Sequence, residues 1–413
     1  MAQRSASGRR DTSSVLTINC GSSSLKFALY DISRTGGRGS QERLRYTGSV
    51  ERIGEPNSAF HVVDGKQATV TDEQVTLRDQ AAALRYALDW LEQHLNSRQL
   101  DAIGHRIVHG GERYSQPQRV TADVLAELRR LAPLAPLHLP VEIAAIEMLE
   151  KRYPTVPQVA CFDTAFHRTM PRVAQLYGLP RQFLDAGILR YGFHGLSYEY
   201  IVSELEREAR AAHTSLDGQR IVIAHLGNGA SMAAVRDGHS LDTTMGLTPI
   251  GGLVMSTRSG DLDPGVLLYL QETEKMAPAD MRKSVEQTGG LQGVSGISGD
   301  MQDLLARMDR DDHAAEAVAL FCYSARKQLG ALAGVLGGID TLVFTGGIGE
   351  HAAVVRHRIC GGFDFLGIEL DDARNATSET IISMEQSTVS VRVIHTNEEV
   401  MIARHTMRAL YPA

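Results

Sequence analysis

Hydrophobic and polar positions along the chain predict two copies of one structural unit, each with strands followed by helices. In the first copy, residues 15–19 and 25–30 are β-rich runs on either side of a polar glycine turn, a pattern typical of an antiparallel hairpin. Strand-like runs continue to Thr71, and leucines at helical spacing between residues 84 and 95 then predict an amphipathic helix. The copy ends with a strand, two helices and a strand, at residues 102–108, 122–152 and 156–162.

The second half repeats this plan, which makes a duplicated unit the main organisational prediction. Residues 221–224 and 231–236 are strand-like runs joined by a glycine turn, and Asp237-Gly238 is a strong hairpin signal. Helices are predicted within 263–336, and a strand at 341–344 runs into a glycine-rich stretch that precedes another helix.

The length of 413 residues favours two domains. We place the first at residues 13–164 plus 399–413 and the second at 165–398, and we expect residues 1–12 to be disordered. No Pro- or Ser-rich linker separates the halves, so we expect a shared interface whose cleft holds the ligand site.

Composition excludes several classes of protein. The chain is 43% hydrophobic and 22% charged, as in ordinary globular proteins, and its formal net charge of −7 argues against a nucleic-acid partner. No apolar run approaches the roughly 20 residues that span a bilayer. The four cysteines are scattered singly, without the spacing of a zinc site or a disulfide framework. We therefore expect a soluble protein of the cytoplasm.

Three glycine turns follow predicted strands, where backbone N–H groups can approach a phosphate chain. The first contains Gly21 with serine hydroxyls and is followed by Lys26. The second is at residues 227–229, and the third is at residues 346–349, before a helix. One such turn is weak evidence because glycine turns are common, but three together favour a nucleotide site.

The familiar nucleotide motifs do not account for these turns. The chain contains no G-x-x-x-x-G-K-[ST] stretch, which argues against a P-loop protein. Residues 347–352 match the looser dinucleotide pattern G-x-G-x-x-A, with Asp371 at a suitable distance beyond it. A dehydrogenase is therefore an alternative, although it leaves the two earlier turns without a role.

Eight blocks in order resemble the acetate kinase family, which belongs to the superfamily of acetate and sugar kinases, chaperone ATPases and actin. The blocks are residues 19–26 (NCGSSSLK), 104–112 (GHRIVHGGE), 162–167 (FDTAFH), 190–195 (RYGFHG), 225–229 (HLGNG), 257–261 (TRSGD), 346–350 (GGIGE) and 396–399 (TNEE). The resemblance implies an α/β fold of duplicated ribonuclease H-like, actin-like ATPase domains, each with a central mixed sheet flanked by helices. It also implies an active site in the interdomain cleft, a homodimer, and reversible Mg²⁺-dependent transfer of a phosphoryl group from ATP to acetate.

The resemblance also implies roles for individual residues. The implied catalytic residues are Arg106, Asp163, His194 and Arg258. Arg106 would also bind the acceptor, whose methyl group would lie in an apolar pocket of Val108, Leu137 and Pro249. Asn19 and Glu398 would hold the magnesium ion, beside Asp163, and Mn²⁺ could replace it. The predicted nucleotide-binding residues are Ser22, Ser24, Lys26, His225, Gly227, Asn228, Gly229, Asp300, Gln302, Gly346, Gly347, Ile348, Gly349 and His351.

The residue types suit this chemistry. A carboxylate acceptor is already ionised at neutral pH, so the reaction needs alignment and charge neutralisation rather than a strong base. Each assignment has an ordinary structural alternative: a surface ion pair for the arginines, a helix cap for Asp163, a satisfied structural histidine for His225, and plain core for the three apolar residues.

The chain departs from the family's pattern at four places. Leu139-Pro140-Val141-Glu142 replaces Asn-Pro-x-Asn, Gln302 replaces an Arg, His351 replaces an Asn, and Gly251 replaces a Glu. Two of these changes fall in the implied nucleoside pocket, so GTP or pyrophosphate remains an alternative donor. Propionate and butyrate remain alternative acceptors, because one methylene changes binding by only about 1–3 kcal/mol. A non-metabolic actin-like or chaperone-like ATPase would share the fold but would leave the two arginines unexplained.

Overall fold

The computed structural model describes residues 12–21, 23–33, 42–95 and 99–412. The chain divides into two compact units, unit 1 with Met1–Ala165 and Asn397–Ala413, and unit 2 with Phe166–Thr396. The predicted disorder of residues 1–12 falls mostly outside the described residues; Thr12 is the first residue of a strand. Among the described residues, no helix has the length and apolar character needed to cross a membrane.

Each unit contains one mixed sheet. The eight strands of unit 1 are β1 (Thr12–Cys20), β2 (Leu25–Ser33), β3 (Glu42–Glu51), β4 (Ser58–Asp64), β5 (Thr69–Val75), β6 (Ala102–Ile107), β7 (Gln118–Arg119) and β8 (Gln158–Phe162). The five strands of unit 2 are β9 (Arg220–Leu226), β10 (Ala230–Arg236), β11 (His239–Thr243), β12 (Thr341–Thr345) and β13 (Ser390–Val393).

The helices flank these sheets. In unit 1 they are α1 (Gln80–His94), α2 (Ala122–Leu131), α3 (Leu139–Arg152) and, at the chain's end, α15 (Glu398–Leu410). In unit 2 they are α4 (Arg172–Gln175), α5 (Arg181–Asp185), α6 (Gly195–Ala211), α7 (Pro264–Glu272), α8 (Pro278–Glu286), α9 (Gly290–Ser295), α10 (Met301–Arg307), α11 (Asp312–Leu336), α12 (Gly346–His351), α13 (Ala353–Cys360) and α14 (Asp372–Ala376).

The two sheets repeat one topology, which confirms the predicted duplication. The central part of the first sheet has the order β3-β2-β1-β6-β8, and the second has the order β11-β10-β9-β12-β13. In both, three strands pair antiparallel, and two further strands then pair parallel to the third and to each other. The predicted hairpins are confirmed as well, with Asn19 opposite Lys26 and Leu226 opposite Ala230. The carboxyl ends of β1, β6 and β8 therefore meet at one edge, as do those of β9, β12 and β13.

Unit 1 buries both faces of its sheet. One face packs on α1 and α3 through a core that contains Phe27, Phe60 and Trp90. The other face carries α15, whose approach to β6 requires glycine: a Cβ on Gly104 would collide with Thr406 Oγ1 and would stand 2.6 Å from a methyl of Ile402. The helix nearest the end of the chain thus completes the core of the N-terminal unit.

Unit 2 has a corresponding core between its sheet and α6. Tyr198 and Ile201 of the helix pack with Ile221 and Ile223 of β9 and with Val343 of β12. One detail differs from the sequence-based expectation: the glycine stretch at 346–349 does not precede a helix but forms most of α12 itself. The chain turns at once because Gly346 adopts a φ of +76°, which favours glycine.

Candidate active site

Polar side chains from four segments of unit 1 meet where its parallel strands end. Asn19 lies at the end of β1 and Arg106 near the end of β6, Asp163 follows β8, and Glu398 begins α15. We call these four residues the carboxylate–arginine cluster. The structure therefore brings together all four residues that were predicted for this part of the site.

Arg106 is the centre of this cluster. Its Nε and Nη2 donate to the two carboxylate oxygens of Asp163, at 3.0 and 2.6 Å, and its Nη1 donates to Asn19 Oδ1 at 3.2 Å. Glu398 Oε2 lies 3.6 Å from Arg106 Nε and accepts a hydrogen bond from Asn19 Nδ2 at 3.0 Å. Asp163 is fully buried, so this is an internal fork-to-fork pair rather than the surface ion pair that was the alternative.

The opposite charges of Arg106 and of the two carboxylates stabilise one another within the cluster. Burial opposes the guanidinium charge of Arg106, but Asp163 and Glu398 outweigh it, so the pKa of Arg106 is raised above its ordinary value. The guanidinium therefore stays ionised at every relevant pH. Glu399, next in the chain, has its pKa raised by burial, which the charge of Lys26 only partly offsets.

Glu142 lies beside this cluster, although sequence reasoning gave it no role. It is in the first turn of α3, it is buried, and its two carboxylate oxygens accept the N–H of Val108 at 3.3 and 3.1 Å. Burial raises its pKa to about 8, against the lowering effect of Arg106 and of the Val108 N–H. The sequence did hold one signal for Glu142: it stands in the stretch 139–142, which departs from the family's Asn-Pro-x-Asn pattern.

The remaining predicted residues of unit 1 lie around the same sheet. Val108 is buried just after β6, and Leu137 is half-buried in the turn before α3. In the first glycine turn, Gly21 N donates to Ser24 O at 2.8 Å, which closes the hairpin before the exposed Lys26. Ser22 lies outside the described residues.

A second group of residues converges in unit 2, around His194. This residue has left-handed backbone geometry, with φ +59°, immediately before α6. Its Nδ1 lies 2.8 Å from Ser231 Oγ, which in turn is 2.5 Å from the hydroxyl of Tyr198. The ring of His225 stacks on that of His194 at 4.3 Å between centroids. Ser231 and Tyr198 thus orient His194, and no sequence motif indicated them.

Arg258 and Gly229 complete this group, which we call the histidine–arginine cluster. A Cβ on Gly229 would stand 2.8 Å from Arg258 Nη2 and 3.0 Å from His194 Nε2. Arg258 Nη1 also donates to the carbonyl of the buried Pro249 at 2.7 Å. The absence of a side chain at Gly229 therefore lets the predicted arginine and histidine approach the same point. Pro249, predicted for the acyl pocket, holds the arginine through its backbone.

The second and third glycine turns lie side by side, because β9 and β12 are parallel neighbours. A Cβ on Gly227 would be 3.8 Å from Gly347 N, and one on Gly346 would be 2.8 Å from Leu226 O. Asn228 is exposed, and its carbonyl accepts the N–H of Ser256 at 3.2 Å. The predicted glycine residues thus form one continuous edge, which we call the glycine edge.

Buried side chains hold α12 at this edge. Glu350 Oε1 accepts from Gly346 N at 2.9 Å and from Thr396 N at 3.1 Å. Burial would raise its pKa, but hydrogen bonds from His395 and these N–H groups lower it overall. Arg356, which is fully buried, donates to the carbonyls of Gly349 and Glu350 at 2.9 and 3.0 Å. Neither Glu350 nor Arg356 had been assigned this supporting role.

The other predicted nucleotide-binding residues have separate positions. Asp300 is the N-cap of α10, where it accepts from Gln302 N at 2.7 Å, and the Gln302 side chain is exposed. Ile348 is half-buried within α12, and His351 ends that helix with an exposed side chain. Asp371, which a dehydrogenase would use for a ribose, is the N-cap of α14.

The duplicated mixed sheets have the architecture of the actin-like ATPase fold, and together with the family match they make the chain a phosphotransferase. Residues 14–404 match the model of the acetokinase family, and the chain belongs to that family, whose enzymes use ATP and a carboxyl acceptor. This membership is incompatible with the dehydrogenase alternative.

Individual relatives are similar to this chain in sequence or structure along nearly its whole length. A protein of Methylocella silvestris named acetate kinase is 47% identical over 402 residues, which cover 96% of this chain and 98% of the relative. The crystal structure of Porphyromonas gingivalis acetate kinase matches with a TM-score of 0.82 at 37% identity, covering 96% and 100% of the two chains. That of a propionate kinase from Francisella tularensis matches with a TM-score of 0.85 at 35% identity, covering 96% and 99%.

Proposed function

We propose that the protein transfers the γ-phosphoryl group of ATP to acetate, reversibly, giving acetyl phosphate and ADP. The observation that carries this proposal is the carboxylate–arginine cluster, which combines a fixed guanidinium with buried oxygen ligands. The choice of acetate rests on the acetate kinases among the relatives. Propionate is the alternative acceptor, supported by the propionate kinase among the structural matches.

The reaction needs little acid–base chemistry. An acetate oxygen attacks the γ-phosphorus, a new P–O bond forms, and the bond to the β-phosphate oxygen breaks as ADP leaves. Arg106 would hold the acceptor carboxylate, while Arg258 would bind the oxygens of the phosphoryl group. His194 would donate a hydrogen bond from Nε2 to the same group in the tautomer whose Nδ1 accepts from Ser231 Oγ.

The cluster's oxygen donors fit a magnesium ion. Carboxylate and amide oxygens are the ligands Mg²⁺ prefers, usually through water, and Asp163, Glu398 and Asn19 offer only such oxygens at one strand edge. Mn²⁺ accepts the same ligands and would substitute. When bound, the ion would neutralise phosphate charge, while Arg106 keeps Asp163 oriented toward it.

The glycine edge would receive the nucleotide phosphates. Gly347 is exposed, and a Cβ there would meet no atom within 4 Å, so its backbone is open to a ligand. His225, Asn228, Asp300, Gln302 and His351 remain predicted contacts. Because Gln302 replaces an arginine, the preference for ATP should be tested against GTP and pyrophosphate in parallel rate measurements; negligible turnover with ATP would contradict it.

Acceptor choice would depend on the apolar pocket. Val108, Leu137 and Pro249 are its predicted lining, and a rate profile across acetate, propionate and butyrate would measure it. We expect acetate to have the highest kcat/KM, with a loss of about 1–3 kcal/mol in transition-state binding for one mismatched methylene. A profile that peaks at propionate would favour the alternative.

Trapping the product with hydroxylamine tests the whole proposal. With ATP, Mg²⁺ and acetate, we expect acetohydroxamate and ADP to form in equal amounts and only when acetate is present. ADP formation independent of any short acid would instead indicate an ATPase. Assembly as a homodimer and a cytoplasmic location also remain predictions; light scattering on the purified protein would test the first.

A further inference from the structure

Two histidines and a glutamate meet at the glycine edge, outside the residues that hold the proposed magnesium ion. They are brought together by the sheet, because β12 and β13 are parallel neighbours with Phe344 opposite Val393. The chain leaving β12 forms α12, which ends in Glu350 and His351, and the chain leaving β13 passes through His395. Two segments distant in sequence thus supply three potential metal ligands.

Glu350 is the fixed member of this group. Its Oε1 is held by Gly346 N and Thr396 N, as described above, and by the hydroxyl of Thr345 at 3.3 Å. Its Oε2 faces both imidazoles: His395 Nδ1 lies at 2.6 Å and His351 Nε2 at 4.0 Å. A carboxylate held in this way presents its second oxygen in a constant direction.

The imidazoles are free to adjust. The side chains of His351 and His395 are 72% and 73% exposed, whereas that of Glu350 is only 11% exposed. One ligand atom from each residue lies within 4.8 Å of the others. Ligand atoms around a tetrahedral Zn²⁺ stand about 3.4 Å apart, as follows from bond lengths near 2.0–2.1 Å. Reaching that spacing would require the exposed rings to rotate.

We propose that Glu350, His351 and His395 form a binding site for a divalent transition-metal ion of the Zn²⁺ type. Two imidazoles and one carboxylate suit Zn²⁺, Co²⁺ or Ni²⁺ and are a poor set for Mg²⁺, which prefers oxygen. The ion takes the place of the proton between His395 and Glu350. Water or another small ligand completes its coordination.

A metal ion at this site would tie α12 to the segment after β13. Both segments border the glycine edge, so binding would restrict its motion. The binding site itself does not depend on the proposed kinase function, because it is defined by residues of unit 2 that lie beside Gly346 and Thr396. Metal binding and phosphoryl transfer can therefore be tested separately.

Calorimetric titration with ZnCl₂ tests the proposal on the full-length, tag-free protein after treatment with a chelator. We expect one high-affinity ion per chain. His351→Asn and His395→Asn should each weaken that binding by about tenfold or more, and the double variant should lose it. The melting temperature should rise with Zn²⁺ in the wild type and stay constant in the double variant. MgCl₂ in excess should not compete.

His357→Asn is the matched control. His357 is also exposed and lies 3.1 Å from a carboxylate oxygen of Asp372, but no second imidazole is grouped with it among the described residues. Binding should be unchanged in this variant. Equal Zn²⁺ affinity and stoichiometry in the wild type and the double variant would overturn the proposal, as would a loss in His357→Asn as large as in His351→Asn. Asparagine at position 395 can still donate a side-chain N–H to Glu350 Oε2 in place of His395 Nδ1, and the side chain of His351 is exposed, so the metal-free variants should melt like the wild type.

Discussion

Arg106 and Asp163 form a two-bond ion pair in the interior of unit 1, with Nε–Oδ1 and Nη2–Oδ2 distances of 3.0 and 2.6 Å. The same two-bond geometry occurs at the surface of this unit, between Arg130 and Glu127 at 3.0 and 2.6 Å. The side chains of Arg106 and Asp163 are 14% and 0% exposed, whereas those of Arg130 and Glu127 are 69% and 12% exposed, so the two pairs differ chiefly at the arginine. Because the two pairs share one geometry but differ in burial, comparing substitutions in them distinguishes the effect of the two-bond geometry from the effect of the surroundings.

Arg106→Lys should reduce kcat by about a hundredfold or more, because lysine keeps the charge but cannot hold Asp163 and an acceptor at once. The substitution should also cost about 1–3 kcal/mol of unfolding free energy, since a buried carboxylate loses a hydrogen bond. Steady-state rates by the hydroxamate assay and urea unfolding would measure both. Arg130→Lys should change neither by a measurable amount. A near-native kcat in Arg106→Lys would show that the pair is only structural.

Glu142→Gln should change how stability depends on pH. The pKa of Glu142 is about 8 in the folded protein against an ordinary value of 4.5, so the folded state binds this proton more tightly. The unfolding free energy of the wild type therefore falls as pH rises from about 4.5 to 8. Glutamine can still accept the Val108 N–H and carries no charge. At pH 8 the variant should be more stable than the wild type by at least about 1 kcal/mol, and at pH 4.5 the two should agree.

Urea unfolding at several pH values would measure this difference. Glu127→Gln provides a control of opposite sign, because the hydrogen bond from Arg130 lowers the pKa of Glu127. That variant should lose a little stability at neutral pH and none in acid. A Glu142→Gln difference that is constant with pH would contradict a raised pKa for Glu142.

Gly229→Ala should impair the reaction more than the fold. The new methyl group would stand 2.8 Å from Arg258 Nη2 and 3.0 Å from His194 Nε2, both of which are side-chain atoms. The arginine can move away, so we expect a stability change below about 1 kcal/mol but a fall in kcat of about tenfold or more. Gly334→Ala in α11, where a Cβ meets nothing within 4 Å, should keep its activity. Equal activity in both variants would exclude the histidine–arginine cluster from the reaction.

Two neighbouring glycines of α12 should respond differently to alanine. Gly346→Ala forces a φ of +76° on alanine and places its Cβ 2.8 Å from Leu226 O, so it should destabilise unit 2 by about 1–3 kcal/mol. Gly347→Ala meets no protein atom and should leave stability unchanged, while it raises the KM for ATP by obstructing the phosphates. Melting curves and ATP titrations separate the two effects. A native KM for ATP in Gly347→Ala would show that the phosphates do not bind against this turn.

The local pattern of the chain predicted local structure well. Alternating apolar residues and glycine turns identified the hairpins β1–β2 and β9–β10, and leucine spacing identified α1, because these elements depend on neighbouring residues. The two-residue strand β7 and the contact of Gly104 with Ile402 were not predictable in this way. Both depend on packing between segments far apart in the sequence.

In the candidate site, too, contacts between distant segments could not be predicted from the local sequence pattern. Asn19, Arg106, Asp163 and Glu398 stand on four separate segments, and only the ordered blocks of the family resemblance grouped them. Ser231 beneath His194 carried no signal, since a serine in a strand is ordinary and its role appears only once β10 pairs with β9. Glu142 was visible as a departure from a pattern, but its burial against Val108 N–H follows from how α3 packs on β6.

The helix that covers β1, β6 and β8 follows the whole of unit 2 in the sequence. Unit 1 uses Asn397–Ala413, so all of Phe166–Thr396 is synthesised before its core can close. At about 5–20 residues per second, the apolar surface of β6 around Gly104 is synthesised roughly fifteen to sixty seconds before Ile402 and Thr406, which cover it. The core of unit 1 can therefore close only after unit 2 has been synthesised, and a nascent chain that stops short of α15 would carry an uncovered sheet face prone to aggregation.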